Sequence, residues 1–390
     1  MAKRISSNNV LQYLFEHDIY KESEIAQINN NHQSIINSNY LDLTLSNQDK
    51  LIIKQDLLDD DYWFDSKTIN EFSLQSFLND CHDLSFSCSL ILENLQFDES
   101  NSILIYKYSK AYTNLKDFYK DRQVFSTDIS NLLGNTLATL HHETLNSLSC
   151  KDFMNRIARG EPQYKFPHPV HLLDKPTPET LTKDIPPTGF PFIALYQSSE
   201  SLRDAVTELV FTHKHYCLTQ NNLKLDNILI SEDWREYLSI AKEPNDSIKI
   251  INWDKCSWGD PAFDLGTVIS SYLLIWLNNL ILEPSIKLSE SLELANISLD
   301  VIQPSINSLL RSYLSSFPSI LQEYPDFLNR VIQFTGLALI YEIVSMMQSF
   351  ESFDYRCIHI LQVAKKLLCQ PTEAFDSILG ISNIKLSNFQ

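Results

Sequence analysis

Two short apolar runs, each followed directly by a polar loop, constrain the fold of this chain more than any other feature. They lie between residues 218 and 266, in the segments LTQNNLKLDNILI and IKIINWDKCSWGDPAFDLG. A short apolar run bounded by polar loop residues is typical of a buried strand. We therefore expect two short strands here, with polar side chains in the loops that follow them.

The composition indicates a large globular protein. A length of 390 residues is enough for one two-lobed unit or two domains, and 44% apolar with 21% charged residues disfavours long intrinsic disorder. The formal net charge of −18 disfavours binding to nucleic acid or to an anionic membrane, and it suits a partner with a basic face. The same acidity can also serve only to keep the chain in solution, and that alternative stays open.

The cysteines and the apolar runs predict a cytoplasmic protein. Seven scattered cysteines without a C-x-x-C pair are typical of reduced thiols. No signal peptide is expected, since Glu16 and Asp18 soon follow the basic residues at the start. The most apolar run, at 268–282, is interrupted by Asn278 and Asn279 and favours a buried helix over a membrane span.

The first part of the chain predicts a small sheet flanked by helices. Alternating and helical spacing of apolar residues predicts a helix at 8–18, a β-hairpin at 40–55, a helix at 66–78 and strands at 85–92 and 102–108. No glycine precedes Gly134, so a glycine-rich phosphate-binding loop is excluded from the first third of the chain.

Lys54 lies inside an otherwise apolar predicted strand. A buried cation costs free energy unless a carboxylate pairs with it, and Glu71 on the inner edge of the predicted helix at 66–78 is the candidate partner. The alternative, a surface lysine and a glutamate that faces solvent, stays open at this point.

The remainder of the chain is mainly helical in pattern. Helices are predicted at 125–148, 201–215, 265–282, 306–317, 326–350 and 354–368. The segment 161–191 holds eight of the fifteen prolines and predicts an irregular connector. The strand ending at Tyr108 is followed by a polar linker and a helix, so we expect a boundary near this residue.

The two central segments, LTQNNLKLDNILI and IKIINWDKCSWGDPAFDLG, resemble the catalytic core of the aminoglycoside/choline kinase superfamily. In that family the first loop reads H-G-D-x-x-x-x-N, and the second reads I-D-W/F-E followed by G-D-P-x-x-D-L. The resemblance implies an α+β, two-lobed protein kinase-like fold. It would have a small antiparallel-sheet N-lobe at 1–108 and a large helical C-lobe at 109–390.

Within that superfamily, the chain looks most like phosphotransferases of ribosomally made peptide pathways, of the lanthipeptide and thioamitide type. This resemblance is based on the combination of LIIKQ, ILIYKY, NNLKLDNILI, NWDKCSWGDPAFDLG and SSYLLIWL. Such enzymes phosphorylate Ser or Thr of a precursor peptide and act with a separate lyase. The resemblance therefore implies a peptide or protein partner, either a precursor peptide or a lyase.

The resemblance also implies ATP and Mg²⁺ as cofactors. Lys54 held by Glu71 would grip the α- and β-phosphates of the nucleotide. Tyr106 and Tyr108, on the strand that runs into the hinge, would lie at the nucleotide site. Asn227 matches the metal-binding asparagine of the family.

Two acids of the family pattern are amides in this chain. The proton-accepting aspartate of the family falls on Asn222, and its metal-holding aspartate falls on Asn252. An amide carries no charge and cannot accept a proton near pH 7. Loss of a general base typically costs about 10²- to 10⁴-fold in rate, and Mg²⁺ usually requires one or two carboxylates. We therefore predict a pseudokinase.

The loop around Asn222 departs further from the family pattern, since Gln220 and Asn221 replace a histidine and a glycine. The GDPAFDL block, in contrast, is intact. Its Asp264 is predicted to begin the following helix and to accept backbone N–H groups from the first loop.

The alternative is an active ATP-dependent phosphotransferase that acts on Ser or Thr of a precursor peptide or on a small-molecule hydroxyl. Asp254 or Asp226 would then replace the lost acids as metal ligands, and Lys224 would compensate phosphate charge. Asp254 lies two residues after Asn252, and positions two apart on an extended segment face the same way.

Overall fold

The structure, a computed structural model, describes residues 5–6, 9–20, 40–44, 49–56, 67–145, 147–157, 185–239, 247–280, 296–349 and 353–380. The chain divides into two compact units. Unit 1 is built from Met1–Asp121, Asp152–Glu161 and Asp226–Cys256, and unit 2 from Arg122–Lys151, Pro162–Leu225 and Ser257–Gln390. The lobe boundary expected near Tyr108 stays a prediction.

The first part of the chain forms a small antiparallel sheet with helices beside it. In chain order its elements are α1 (Val10–Glu16), β1 (Tyr40–Thr44), β2 (Lys50–Gln55), α2 (Lys67–Asp80), α3 (Ser85–Ser89), β3 (Asn94–Asp98), β4 (Ile103–Tyr108) and β5 (Tyr112–Asn114). The sheet has the strand order β1-β2-β4-β3. The helices predicted at 8–18 and 66–78, the hairpin at 40–55 and the strand at 102–108 are confirmed.

The two faces of this sheet differ because successive residues of a strand point to opposite sides. On one face, Leu51 and Ile53 of β2 pack with Val10 and Leu14 of α1. On the other face, Ile52 belongs to a second cluster with Leu104, Tyr106 and Tyr108 of β4. Lys54 lies on the same face of the sheet as Ile52, and it is opposite Leu104 in the pairing of β2 with β4.

The strand predicted at 85–92 is wrong. A 3-10 turn at His82–Leu84 leads into α3, and the strand lies later, at Asn94–Asp98. The buried residues Leu84, Ser87 and Leu90 recur every third position, which is helical spacing that the alternating serines of this segment hide. Ile91 then forms an isolated bridge with Ile250.

The middle of the chain alternates helices with very short strands. Its elements are α4 (Leu115–Arg122), α5 (Thr127–Thr144), α6 (Leu148–Ile157), α7 (Phe190–Ser198), α8 (Glu200–Phe211), β6 (Cys217–Thr219), β7 (Ile228–Ser231), α9 (Trp234–Ser239), β8 (Ile248–Ile250) and β9 (Ser257–Gly259). In unit 1, β7 pairs with β5 and β8. In unit 2, β6 pairs with β9. Most of the connector predicted at 161–191 lies outside the described residues.

The last part of the chain is helical, as predicted. It contains α10 (Pro261–Asn278), α11 (Leu299–Ser316), α12 (Ile320–Glu323), α13 (Phe327–Gln348), α14 (Tyr355–Cys369) and α15 (Pro371–Ser377). In unit 2, α5 packs on α11, and α13 packs between α10 and α14. These antiparallel sheets and numerous helices confirm the predicted α+β class.

Close contact between α10 and α13 depends on a glycine. A Cβ atom at Gly266 would lie 2.8 Å from Phe334 Cβ and 2.8 Å from the Thr335 backbone nitrogen, closer than these atoms can approach. Among the described helices, α13 is long and apolar enough to cross a membrane, but 72% of its apolar window is buried inside the protein. This burial is that of a core helix.

The helix predicted to begin at residue 265 begins earlier. Pro261 is its first residue, and the Oδ1 atom of Asp260 accepts a hydrogen bond from Ala262 N at 3.0 Å. Proline suits the first helical position because its missing N–H would have no partner there. Asp260 is therefore the N-cap, and Asp264 lies in the first turn of α10.

Candidate functional site

Lys54 and Glu71 form the ion pair that was predicted from their positions. Lys54 Nζ lies 2.6 Å from Glu71 Oε2, and the second carboxylate oxygen accepts a hydrogen bond from Trp253 N at 3.0 Å. The side chains are 12% and 2% exposed, so the pair is nearly desolvated. A buried pair of this kind is tolerable because further hydrogen bonds satisfy the carboxylate. Glu71 thus joins β2 to the loop that follows β8.

Tyr106 and Tyr108, predicted to lie at the nucleotide site, are buried on β4. Lys54 Nζ lies 5.4 Å from the centre of the Tyr106 ring, and Lys50 Nζ lies 5.7 Å from that of Tyr108. Burial, followed by the charge of Glu71, raises the pKa of Tyr106 well above its usual value, so its hydroxyl keeps its proton. Their contact with a nucleotide stays a prediction.

A small cavity in unit 1 lies beside these side chains. It is lined by Lys54, Glu71, Tyr106 and Trp253 together with aliphatic residues, and its volume is about 10 Å³. This volume holds about one water molecule.

Asn227 and Asn252 lie at the same end of the β7–β8 pair. Asn227 directly precedes β7, Asn252 follows β8, and Ile251 N donates to Asn227 O at 3.0 Å. Asn252 has φ 61°, a left-handed conformation that asparagine tolerates better than most residues. Its Nδ2 donates to Asn227 Oδ1 at 2.5 Å. The two predicted metal ligands are thus brought together and bonded to each other.

The donor set of these residues does not fit Mg²⁺. The Asn227 oxygen that would face a cation accepts an N–H from Asn252, and both groups are neutral. Mg²⁺ is usually bound through one or two carboxylates. Across the part of the chain that the structure describes, no group of three or more His, Cys, Asp or Glu residues could hold a metal ion.

The two acids considered as substitute ligands have other surroundings. Asp254 lies in a 3-10 turn at Trp253–Lys255 that starts from the left-handed Asn252, so the segment is not extended. The expectation that residues 252 and 254 face the same way assumed an extended segment, and that assumption is wrong. Asp226 Oδ2 lies 3.5 Å from Lys116 Nζ, in a pair whose side chains are 43% and 64% exposed.

In unit 2, the buried Asp264 holds the loop that contains Asn222. Its carboxylate accepts hydrogen bonds from Gln220 N at 2.8 Å and Asn221 N at 2.7 Å. His141 Nε2 lies 3.4 Å from the same carboxylate, and Tyr313 Oη lies 3.0 Å from His141 Nδ1. The predicted role of Asp264 as an acceptor for this loop is confirmed.

Gln220 and Asn221, which depart from the family pattern, are built into the loop. Asn221 has φ 63°, where a glycine would also fit, and its Nδ2 donates to Ser257 Oγ at 2.8 Å. Gln220 Oε1 accepts a hydrogen bond from Asn222 N at 2.7 Å. The loop therefore keeps an ordered backbone although its reactive side chains differ from those of the family.

Lys224, predicted to compensate phosphate charge, is paired with Glu342 of α13. Lys224 Nζ lies 2.6 Å from Glu342 Oε2, and the side chains are 31% and 27% exposed. Sequence reasoning missed Glu342 because it lies 118 residues away in a helix without a catalytic pattern. The pair neutralises the cation nearest to Asn222 along the loop.

The predicted site residues thus fall into two groups. Lys54, Glu71, Tyr106, Tyr108, Asn227, Asn252 and Asp254 belong to unit 1, and Asn222 and Lys224 belong to unit 2. Their roles in catalysis, nucleotide binding and metal binding stay predictions.

Comparison with known proteins identifies the fold. Aminoglycoside 2'-phosphotransferase-IIIa in complex with GDP matches with a TM-score of 0.50 and 12% identity, over 95% of this chain and 99% of that chain. Choline/ethanolamine kinase family protein from Mesorhizobium loti (TM-score 0.44, 11% identity, covering 98% and 97%) and choline kinase LicA from Streptococcus pneumoniae (0.41, 15%, covering 92% and 99%) also match.

The sequence comparison is weaker. The 4-hydroxytryptamine kinase of Psilocybe cubensis is 24% identical over 192 residues, which are 47% of this chain and 47% of that protein. The match thus spans about half the length of this curated relative. No protein-family model matches the chain. The predicted fold is confirmed: the chain has the protein kinase-like fold that is also seen in aminoglycoside 2'-phosphotransferase-IIIa.

Proposed function

We propose that the chain is a pseudokinase, a protein of kinase-like fold that binds a peptide or protein partner and does not transfer phosphate efficiently. One observation carries the proposal. Asn222 stands at the position of the family's base, in a loop whose backbone Asp264 still holds through Gln220 N and Asn221 N. An amide cannot take the proton of an acceptor hydroxyl. The framework is retained while the reactive group is absent.

Charge supports the choice of a partner. The chain carries a formal net charge of −18, and the Lys224 ammonium next to Asn222 in the loop is paired with Glu342. Complementary potentials favour a partner with a basic face. We infer that this partner is a precursor peptide or a lyase of a ribosomal peptide pathway, and that the protein acts in the cytoplasm.

Phosphate transfer is the first test of this proposal. Purified protein is assayed for ATP hydrolysis and for transfer to candidate peptides with Mg²⁺ or Mn²⁺, next to Asn227→Ala as a matched control. We expect the wild type and the variant to give the same background rate, because Asn222 lacks a base. Turnover in the wild type that Asn227→Ala abolishes would contradict the proposal.

Partner binding is the second test. A synthetic basic peptide and an acidic peptide of equal length are titrated into the protein at low and high salt. We expect the basic peptide alone to bind, and its affinity to fall with salt because ions screen exposed charges beyond about 10 Å at 0.1 M. Equal binding of both peptides would remove the charge argument.

A second candidate function is an active phosphotransferase for a small-molecule hydroxyl, with ATP and Mg²⁺ as cofactors. The similarity to a 4-hydroxytryptamine kinase over 192 residues favours it. Lys54, held by Glu71, would bind the nucleotide phosphates. Under this candidate, Asp254→Asn or Asp226→Asn abolishes a measurable transfer to a hydroxylated amine, whereas the pseudokinase shows no transfer to lose.

A further inference from the structure

The bonded pair Asn227–Asn252, here called the amide pair, carries an inference that deepens the proposed pseudokinase and rests on it. We propose that the amide pair takes the place of a divalent cation in unit 1. The position is closed to Mg²⁺ and Mn²⁺, and a nucleotide that binds at Lys54 does so without a metal ion.

The backbone fixes the two amides against each other. Ile228 and Ile250 are opposite each other in the β7–β8 pair, and Ile251 N donates to Asn227 O at 3.0 Å. The left-handed turn at Asn252 directs the chain away from the strand and leaves its side chain against Asn227. The contact is therefore a consequence of the strand pairing and not of one flexible side chain.

The chemistry of two amides in contact opposes a cation. In the pair, Asn252 Nδ2 is the donor and Asn227 Oδ1 the acceptor. To hold a metal ion, both oxygens would have to face it, which breaks this hydrogen bond and turns an N–H₂ group away from its acceptor. The two oxygens together would still bring no negative charge to a divalent ion.

Asp254 lies in the 3-10 turn that follows Asn252, and the two other neighbouring acids, Glu71 and Asp226, have partners. Glu71 uses one oxygen for Lys54 and the other for Trp253 N. Asp226 is paired with Lys116. A nucleotide phosphate would therefore meet the Lys54 ammonium directly, without a metal ion as a bridge.

Direct metal binding tests the inference without any reaction. Mn²⁺ is titrated into the full chain, and the free ion is followed by its paramagnetic resonance signal. We expect no saturable site in the wild type and one site in Asn252→Asp, since aspartate restores a carboxylate and also tolerates the left-handed conformation. The gain in Mn²⁺ affinity should be at least about tenfold, because even outer-shell changes at metal sites alter affinity 10- to 100-fold.

Asn252→Gly is the matched control. Glycine accepts φ 61° without strain and removes the amide without adding a charge. We expect it to bind no Mn²⁺, which separates the restored carboxylate from mere opening of the pair. Thermal shifts with ADP provide a second readout. EDTA and Mg²⁺ should give equal shifts in the wild type, and Mg²⁺ should increase the shift in Asn252→Asp.

Two results would overturn the inference. One is saturable Mn²⁺ binding to the wild type that Asn227→Ala removes. The other is a folded Asn252→Asp variant without a Mn²⁺ site, since the amide pair would then not be what excludes the metal. Mn²⁺ binding that Asn227→Ala removes, in a wild type that transfers no phosphate, overturns this inference alone, whereas a wild type that transfers phosphate overturns the proposed pseudokinase.

Discussion

Acidic side chains have opposite fates in two regions of the molecule. In unit 2, the buried Asp260 and Asp264 each accept several hydrogen bonds from donors that the fold holds in place. In unit 1, the position at which the family resemblance implies a metal-holding acid carries Asn252, which bonds to Asn227. Unit 2 thus has carboxylates where backbone N–H groups and a guanidinium group donate hydrogen bonds. Unit 1 has an amide at the position where the resemblance implies a metal ligand.

Hydrogen-bond chemistry explains the difference. Asp264 faces two N–H groups, so an amide there would turn a donor toward a donor in a buried site. At Asn252, the amide finds an acceptor in Asn227. An acid-to-amide change is therefore costly in the first region and self-compensating in the second.

The largest effect is expected at the ion pair between Arg330 and Asp260 in unit 2. Arg330 Nε donates to Asp260 Oδ2 at 3.1 Å, and both side chains are buried. Arg330→Met leaves the carboxylate without its cation, and we expect a loss of about 3–5 kcal/mol in the free energy of unfolding, measured with urea. Arg356→Met, at a partly exposed pair with Asp354, should cost less than about 1 kcal/mol. Equal losses would show that burial does not decide the cost.

Asp264→Asn tests the comparison directly. The variant keeps the shape of the side chain but can offer one oxygen to the two loop N–H groups, so we expect a loss of about 3 kcal/mol in unfolding free energy. The control, Asp254→Asn, changes a partly exposed acid and should cost less than about 1 kcal/mol. If Asp264→Asn were neutral, the contrast between the two regions would disappear.

The pair between Lys54 and Glu71 should show an intermediate effect. Glu71→Gln removes the negative charge that lies 2.6 Å from Lys54 Nζ, and we expect a loss of about 2 kcal/mol in the free energy of unfolding. A double-mutant cycle with Lys54→Met measures the coupling, which should lie within about 0.5–3 kcal/mol for residues in contact. A coupling of zero would mean that the pair does not stabilise unit 1.

The smallest effect is expected at the pair between Lys224 and Glu342. Because both side chains are partly exposed, Glu342→Gln should change the unfolding free energy by less than about 1 kcal/mol. It should instead strengthen the binding of inorganic phosphate at Lys224, since this ammonium loses its counter-charge. Calorimetric titration checks this, with Glu323→Gln as an exposed control on the same unit. A large loss of stability in Glu342→Gln would show that this pair holds the fold together, as Asp260 and Asp264 do.

Several features of the fold follow from the sequence because they rest on local patterns. The amphipathic helices and the hairpin around Lys54 have periodic apolar residues, and the pairing of Lys54 with Glu71 follows from the cost of a buried cation. The strand expected at 85–92 failed because serines that alternate with apolar residues imitate a strand and hide the three-residue spacing of the buried Leu84, Ser87 and Leu90. The start of α10 failed because two aspartates compete for the capping position, and proline decides for Asp260.

The candidate site could be predicted only in part. The motif spacing points to Asn222, Asn227 and Asn252, but nothing in the spacing shows whether amides meet each other or a common ligand. The pairing of Lys224 with Glu342 links residues 118 apart, and the surface of a helix gives no local signal for such a contact.

The sequence by itself determined which acids this chain lacks, because side-chain chemistry is a property of each residue. It also determined most of the helices and strands, because apolar periodicity selects them locally, whereas the α+β class was implied by the resemblance of the loop motifs to a known family. Only the tertiary structure decided where the remaining polar groups find partners. The strand pairing that brings Asn227 and Asn252 into contact, and the buried donors around Asp264, are made by segments distant in the chain. Hydrogen bonds act over about 3 Å, so only the folded chain could bring these groups close enough to bond.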